Sequence, residues 1–121
     1  MSDAPNQEKL SILIQNEAPK YKIIEFVGEF DSYSLLKLKE RLDQEISLFD
    51  REVLVFNFAQ LLFINSESIS FVLRAAEDLQ KRGKKLVIIQ ARPNVYDVLK
   101  VIGMFDTVPY YANLIEFLKQ V

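Results

Sequence analysis

Apolar and polar residues alternate along segment 10–15, LSILIQ, and a period of two is the mark of a strand with one buried face. A turn at 18–20, Ala-Pro-Lys, leads to a second predicted strand at 21–28, YKIIEFVG, placed to pair with the first as a hairpin. From Ser34 the period lengthens. Leu35, Leu38, Leu42 and Ile46 recur every three or four positions, with Lys37, Lys39, Glu40 and Arg41 between them. That spacing predicts an amphipathic helix, with Asp31, Ser32 or Ser34 available to cap its first amides.

Segment 52–58, EVLVFNF, is almost continuously apolar and β-rich, which predicts a central strand covered on both faces. The apolar run continues to Ile64 and stops at Asn65-Ser66-Glu67-Ser68. A helical period then carries Ile69, Val72, Leu73, Ala76 and Leu79 toward the core, and Gly83 stands where a helix would end. Segment 85–91, KLVIIQA, predicts a further buried strand. Pro93 opens a third helix bearing Val95, Val98, Leu99 and Ile102, which Gly103 closes. A short extended piece around 107–110 and a helix over 114–119 complete the chain.

Strands alternating with helices imply right-handed crossovers and a mixed, mostly parallel sheet, with the hairpin supplying an antiparallel edge and about four helices packed on it. The expected organisation is one α/β domain over residues 9–121, preceded by a flexible lead-in at 1–8. The polar, acidic start MSDAPNQEK is no signal peptide. The longest apolar stretch, Val53 to Ile64, is interrupted by Asn57 and Gln60 and is too short to span a bilayer, so neither membrane insertion nor export is expected.

Composition narrows the chemistry. The 121 residues contain no cysteine and no histidine, which removes disulfides, thiolate sites and the commonest general base and metal ligand. Three glycines, Gly28, Gly83 and Gly103, do not make a phosphate-cradling loop, and Glu40, Asp43 and Glu45 lie on the polar side of a helix. No catalytic set, resident cofactor or metal site is expected. With a formal net charge of −2, nucleic acid is not an expected partner either. The one basic run, Lys81-Arg82-Gly83-Lys84-Lys85, falls at a helix end, where cations suit the dipole. A phospho-aspartate receiver would need acids clustered at strand ends, and Phe56-Asn57-Phe58 and Gln15-Asn16 offer none.

Asn65, Ser66, Glu67 and Ser68 remain. In α/β sheets, ligands and partners meet the loops beyond the carboxyl ends of strands. These residues open a helix, where free amides and the dipole favour an anion. On spacing alone, the plain reading of Asn65 or Ser66 as a helix N-cap is the favoured one.

Segment 57–73, NFAQLLFINSESISFVL, resembles the central motif of STAS domains, the fold of bacterial anti-sigma factor antagonists. There, Phe-Ile precedes Asp-Ser-Ser/Thr-Gly and an aliphatic residue; here the counterparts are Phe63-Ile64, Asn65-Ser66-Glu67-Ser68 and Ile69. VGEFD at 27–31 is similar to the family's Gly-Glu-Leu-Asp, and 82–111 is similar to its Arg-Gly, strand, helix, Gly and final strand. The resemblance implies a cytoplasmic partner-switching protein. Ser66 would be phosphorylated by an ATP-dependent anti-sigma factor kinase of GHKL type and reset by a PP2C-type phosphatase. Asp31, Asn65, Ser66, Glu67 and Ser68 would face the partner. Asn65 replaces the family's acid, Glu67 its second hydroxyl and Ser68 its glycine. These departures leave open an alternative, a non-phosphorylated STAS adaptor in a stress-signalling or lipid-transport assembly.

Overall fold

The computed structural model describes residues 9–121. The expected lead-in at 1–8 lies outside them. Strands β1 (Leu10–Glu17) and β2 (Tyr21–Phe30) form the antiparallel hairpin, closed by the Ala18 amide donating to the Tyr21 carbonyl at 2.9 Å. Helix α1 (Ser32–Ser47) crosses to β3 (Val53–Ile64), α2 (Ser66–Lys81) to β4 (Lys85–Ile89), and α3 (Pro93–Val101) with the one-turn α4 (Met104–Thr107) to β5 (Tyr110–Tyr111). Helix α5 (Leu114–Leu118) follows. The five strands lie in the order β1-β2-β3-β4-β5, every pair after the hairpin being parallel. The mixed α/β sheet expected from the sequence is therefore present, with α4 as an additional single turn.

Side-chain alternation divides the strands between two layers. Ile24, Phe26, Phe30, Leu54, Phe56 and Phe58 point into the main core against Leu35, Leu42, Ile69, Val72 and Leu79 of α1 and α2. Phe26 sits at its centre, tilted on Phe56 at 4.7 Å and edge-on to Phe58 at 5.3 Å. The opposite set, Ile23, Val53, Val55, Val87 and Ile89, is covered by Phe117 of α5.

Several elements differ from their sequence expectation for local reasons. Strand β3 outruns β4, which pairs only with Val53–Asn57, and continues beside β2 to Ile64. Its register against β2 slips between Glu25 and Val27 and again between Gly28 and Glu29, and such bulges re-aim side chains. Past the end of β4, the β3 carbonyls of Ala59 and Leu62 accept from the side chains of Arg92 at 3.1 Å and Asn94 at 2.9 Å. Strand β4 stops at Ile89 because Gln90 turns to a left-handed φ of 61°. On α3, Val95 and Leu99 are buried as expected, whereas Val98 and Ile102 are exposed. Tyr110 and Tyr111 are half-buried: Tyr110 packs on Phe105 and accepts from the Ala91 amide, and Tyr111 packs on Phe117.

The basic run also has a structural task. Arg82 donates to the Ile46 and Phe49 carbonyls at 2.5 and 3.3 Å, closing the end of α1, and Lys84 donates to the Arg51 carbonyl. Helix ends leave such carbonyls without partners of their own.

Gly28 marks the closest approach of β1 to β2. It has φ of 121°, and a Cβ there would lie 2.0 Å from the Lys9 carbonyl oxygen, which accepts from the Glu29 amide at 2.7 Å. Both strain and collision oppose any side chain. Gly28→Ala is expected to cost about 2 kcal/mol or more and to lower Tm by roughly 10 °C in a thermal melt. An unchanged Tm would contradict this reading of the contact.

Candidate functional site

Strands β2 and β3 end together. Phe30 is the register partner of Ile64, and the next residue of each chain segment, Asp31 and Asn65, is the N-cap of a helix. Parallel strands that stop level thus start two helices side by side. The Asn65 amide donates to the Phe30 carbonyl at 3.1 Å, and Asn65 Nδ2 donates to Ser32 Oγ at 3.0 Å. The two helix starts are therefore bonded through backbone and side chain.

Each cap is complete. The Ser34 amide donates to Asp31 Oδ1 at 3.0 Å, while Ser34 Oγ accepts from the Asp31 amide at 2.9 Å and donates to the Glu29 carbonyl at 2.8 Å. Of the three cap candidates for α1, Asp31 fills the role and Ser34 completes a capping box. On α2, Asn65 Oδ1 accepts from the Ser68 amide at 3.0 Å. Asn65 is the cap, which leaves the Ser66 hydroxyl free of capping duty. Ser66 is the first residue of α2 and is exposed, as is Glu67 beside it. The Glu67 carboxylate in the first turn suits the positive end of the helix dipole.

Ser68 departs from its expected place on a partner surface. It is 0 % exposed, and its Oγ has no hydrogen-bond partner among the described residues. In the first turn of α2, its side chain is enclosed beneath the surface, unlike those of Ser66 and Glu67. Asp31, Asn65, Ser66 and Glu67 are brought together at the ends of β2 and β3, with Asn65 and Asp31 partly covered.

Lys9 adds charge to the site. Its ammonium lies 2.5 Å from Asp31 Oδ2 and 3.8 Å from Glu29 Oε1. The hydrogen bond from Lys9, then that from the Ser34 amide, lowers the Asp31 pKa from 3.8 to about 2, and Asp31 correspondingly raises that of Lys9. Apolar side chains frame the polar centre. Tyr33 and Leu36 on α1 are 57 % and 76 % exposed, and Leu62 and Phe63 at the end of β3 are 49 % and 47 % exposed. Leu36 was visible in the sequence as a leucine off the helical stripe. Leu62 and Phe63 depend on the bulges and carried no such signal.

Among the described residues no group of three or more acids is placed to hold a metal ion, and no helix is long and apolar enough to cross a membrane. The arrangement is a candidate docking surface: an exposed hydroxyl at a helix start, flanking carboxylates and exposed apolar side chains on a small α/β scaffold.

Comparison with known proteins gives the class a family. The STAS domain model matches residues 12–116, and the chain belongs to the STAS domain family. An anti-sigma F factor antagonist of Paenibacillus polymyxa is 22 % identical over 98 residues, covering 81 % of this chain and 84 % of the relative. The crystal structure of an anti-sigma factor antagonist from Mycobacterium paratuberculosis superposes with a TM-score of 0.82 at 18 % identity, over 99 % of this chain and 98 % of the other. The Bacillus cell fate determinant SpoIIAA in its phosphorylated form superposes with a TM-score of 0.68 at 16 % identity, covering 91 % and 98 % of the two chains. At these identities the structural likenesses establish the fold, the one the sequence resemblance implied.

Two predictions follow from the caps. Asn65→Ala leaves the Ser68 amide and Ser32 without their partner and is expected to cost about 1 kcal/mol in chemical denaturation, whereas Asn65→Asp keeps the acceptor and stays within about 0.5 kcal/mol of wild type. Equal stability of the alanine variant would contradict the capping role. For Asp31, the folded pKa of about 2 lies below the ordinary 3.8, so the folded state binds fewer protons between them. Its stabilisation is complete above pH about 4 and is lost as pH falls through about 2. Asp31→Asn should flatten the acid limb of a stability-versus-pH curve over that interval, and an unaltered limb would refute the assignment.

Proposed function

We propose that this chain is an anti-sigma factor antagonist that works by partner switching in the bacterial cytoplasm. In its unmodified form it binds an anti-sigma factor of GHKL-type kinase architecture, which then releases the sigma factor. The kinase transfers the γ-phosphoryl of its own ATP to Ser66, binding is lost, and a PP2C-type phosphatase restores the hydroxyl. The protein contributes a surface and an acceptor, with no catalytic residue of its own.

The observation that carries this reading is the state of Ser66: exposed, first in α2, and relieved of capping by Asn65. Family membership and the antagonist named among its relatives support the same conclusion. Electrostatics explains how one group can be harmless to the fold and decisive for a partner. A phosphoryl group adds about −1.5 to −2 charges. At the start of α2 the dipole and free amides favour an anion by about 0.3–1 kcal/mol, which offsets repulsion from Glu67. A protein seated over this turn must instead bury the charge or be repelled by it.

The test is capture from the source bacterium followed by phosphosite mapping with the captured kinase and ATP. A GHKL-domain protein should be recovered, phosphate should appear on Ser66, and Ser66→Ala should bind yet accept none. Recovery of transporter subunits alone, or phosphate on Ser68 or on no residue, would favour the adaptor instead.

A further inference from the structure

Lys9 is the residue before β1, and the structure holds its backbone and its head group separately. Its carbonyl is fixed on the Glu29 amide above Gly28, so the residue cannot drift from this end of the sheet. Its ammonium pairs with Asp31 and approaches Glu29, and the side chain is 44 % exposed. Asp31 adjoins Ser32, whose hydroxyl accepts from Asn65, the residue before Ser66. The other ion pairs among the described residues lie away from this edge, on Glu17, Glu45, Asp43, Asp78 and Glu116. Lys9 is thus a partly exposed cation, tethered by its backbone and paired with the cap of α1, at the edge where α2 and Ser66 also begin.

We propose that Lys9 is the counter-cation of the switch: it pairs with Asp31 while Ser66 carries a hydroxyl, and moves to the phosphoryl group once Ser66 is modified, leaving the Asp31 carboxylate bare on the docking face. The inference rests on Ser66 being the phosphoacceptor. A phosphoryl group of about −1.5 to −2 charge with three acceptor oxygens outcompetes a single carboxylate for one ammonium. One modification then changes the docking face at two positions, by adding an anion on α2 and uncovering another at the start of α1. Neither event disturbs the caps, because Asp31 keeps the Ser34 amide and Asn65 keeps that of Ser68.

The test is a double-mutant cycle read at Asp31, whose side-chain carboxyl is titrated by carbon NMR in the full chain. Four proteins are compared: wild type, Lys9→Gln, Ser66→Glu as a stand-in for the phosphoryl charge, and the double variant. Lys9→Gln should raise the Asp31 midpoint from about 2 part of the way to 3.8, the Ser34 amide retaining the remainder. Ser66→Glu should also raise it, and that second shift should shrink to roughly half or less when Lys9 is absent, the non-additivity of groups sharing a partner. A shift of the same size with and without Lys9 would mean that the new charge acts on Asp31 directly, which overturns the proposal. Absence of any shift in Ser66→Glu overturns it as well. Lys9→Met, which keeps the aliphatic stem, replaces Lys9→Gln should the latter fail to fold. No kinase enters the cycle, so its failure is distinct from failure of Ser66 to be phosphorylated, which site mapping decides.

Discussion

The pairing of Phe30 with Ile64 at the ends of two parallel strands is the constraint on which the functional surface depends. Because the strands stop level, and the Asn65 amide is bonded to the Phe30 carbonyl, α1 and α2 must begin side by side. Each then has amides to satisfy at the same edge of the sheet. Asp31 and Asn65 meet that need, and in doing so they place Ser32, Ser66 and Glu67 next to one another on the outside. Behind this edge, Phe26 packs with Phe56 and Phe58 across β2 and β3, and Phe30 packs with Phe71 between β2 and α2.

Division of labour within the four-residue segment explains why its composition is unusual for a plain helix start. Asn65 supplies the acceptor, so Ser66 is not needed as a cap. Glu67 is exposed and suits the helix dipole. Ser68 is enclosed, with its hydroxyl unpaired among the described residues, a position where a side chain larger than serine would meet the packed layer below. The family's glycine at the corresponding motif position is consistent with that crowding. Replacement of the family's acid by Asn65 is equally intelligible, since the amide keeps the capping oxygen and gains the donor that reaches Ser32.

Much of this was legible in the chain. The break in the apolar run at Asn65–Ser68, Pro93 at a helix start, and Gly83 and Gly103 at left-handed positions each correspond to an observed boundary, and the change of period at Ser34 falls two residues inside α1, which begins at Ser32. The site segment was legible as well, because an apolar run broken by four polar residues has few structural explanations. The remainder was hidden because it depends on registers and long-range contacts. Two bulges in β3 turn Leu62 and Phe63 outward, and local hydrophobicity gave no sign of this. Lys9 reaches Asp31 across 22 positions, Arg82 closes α1 across 36, and neither spacing has a local signature. The burial of Ser68 depends on the angle of α2 on the sheet, which no residue type encodes.

The central claim is that charge at the start of α2 is tolerated by this fold and rejected by its partner. Calorimetric affinity of the anti-sigma factor for the unmodified protein and for its Ser66-phosphorylated form tests it most directly. Burying or repelling an unpaired phosphoryl group should cost several kcal/mol, so affinity should fall on the order of a hundredfold or more while the melting temperature stays within roughly 3 °C. Equal affinities for the two forms, or a modified protein that no longer folds, would contradict it.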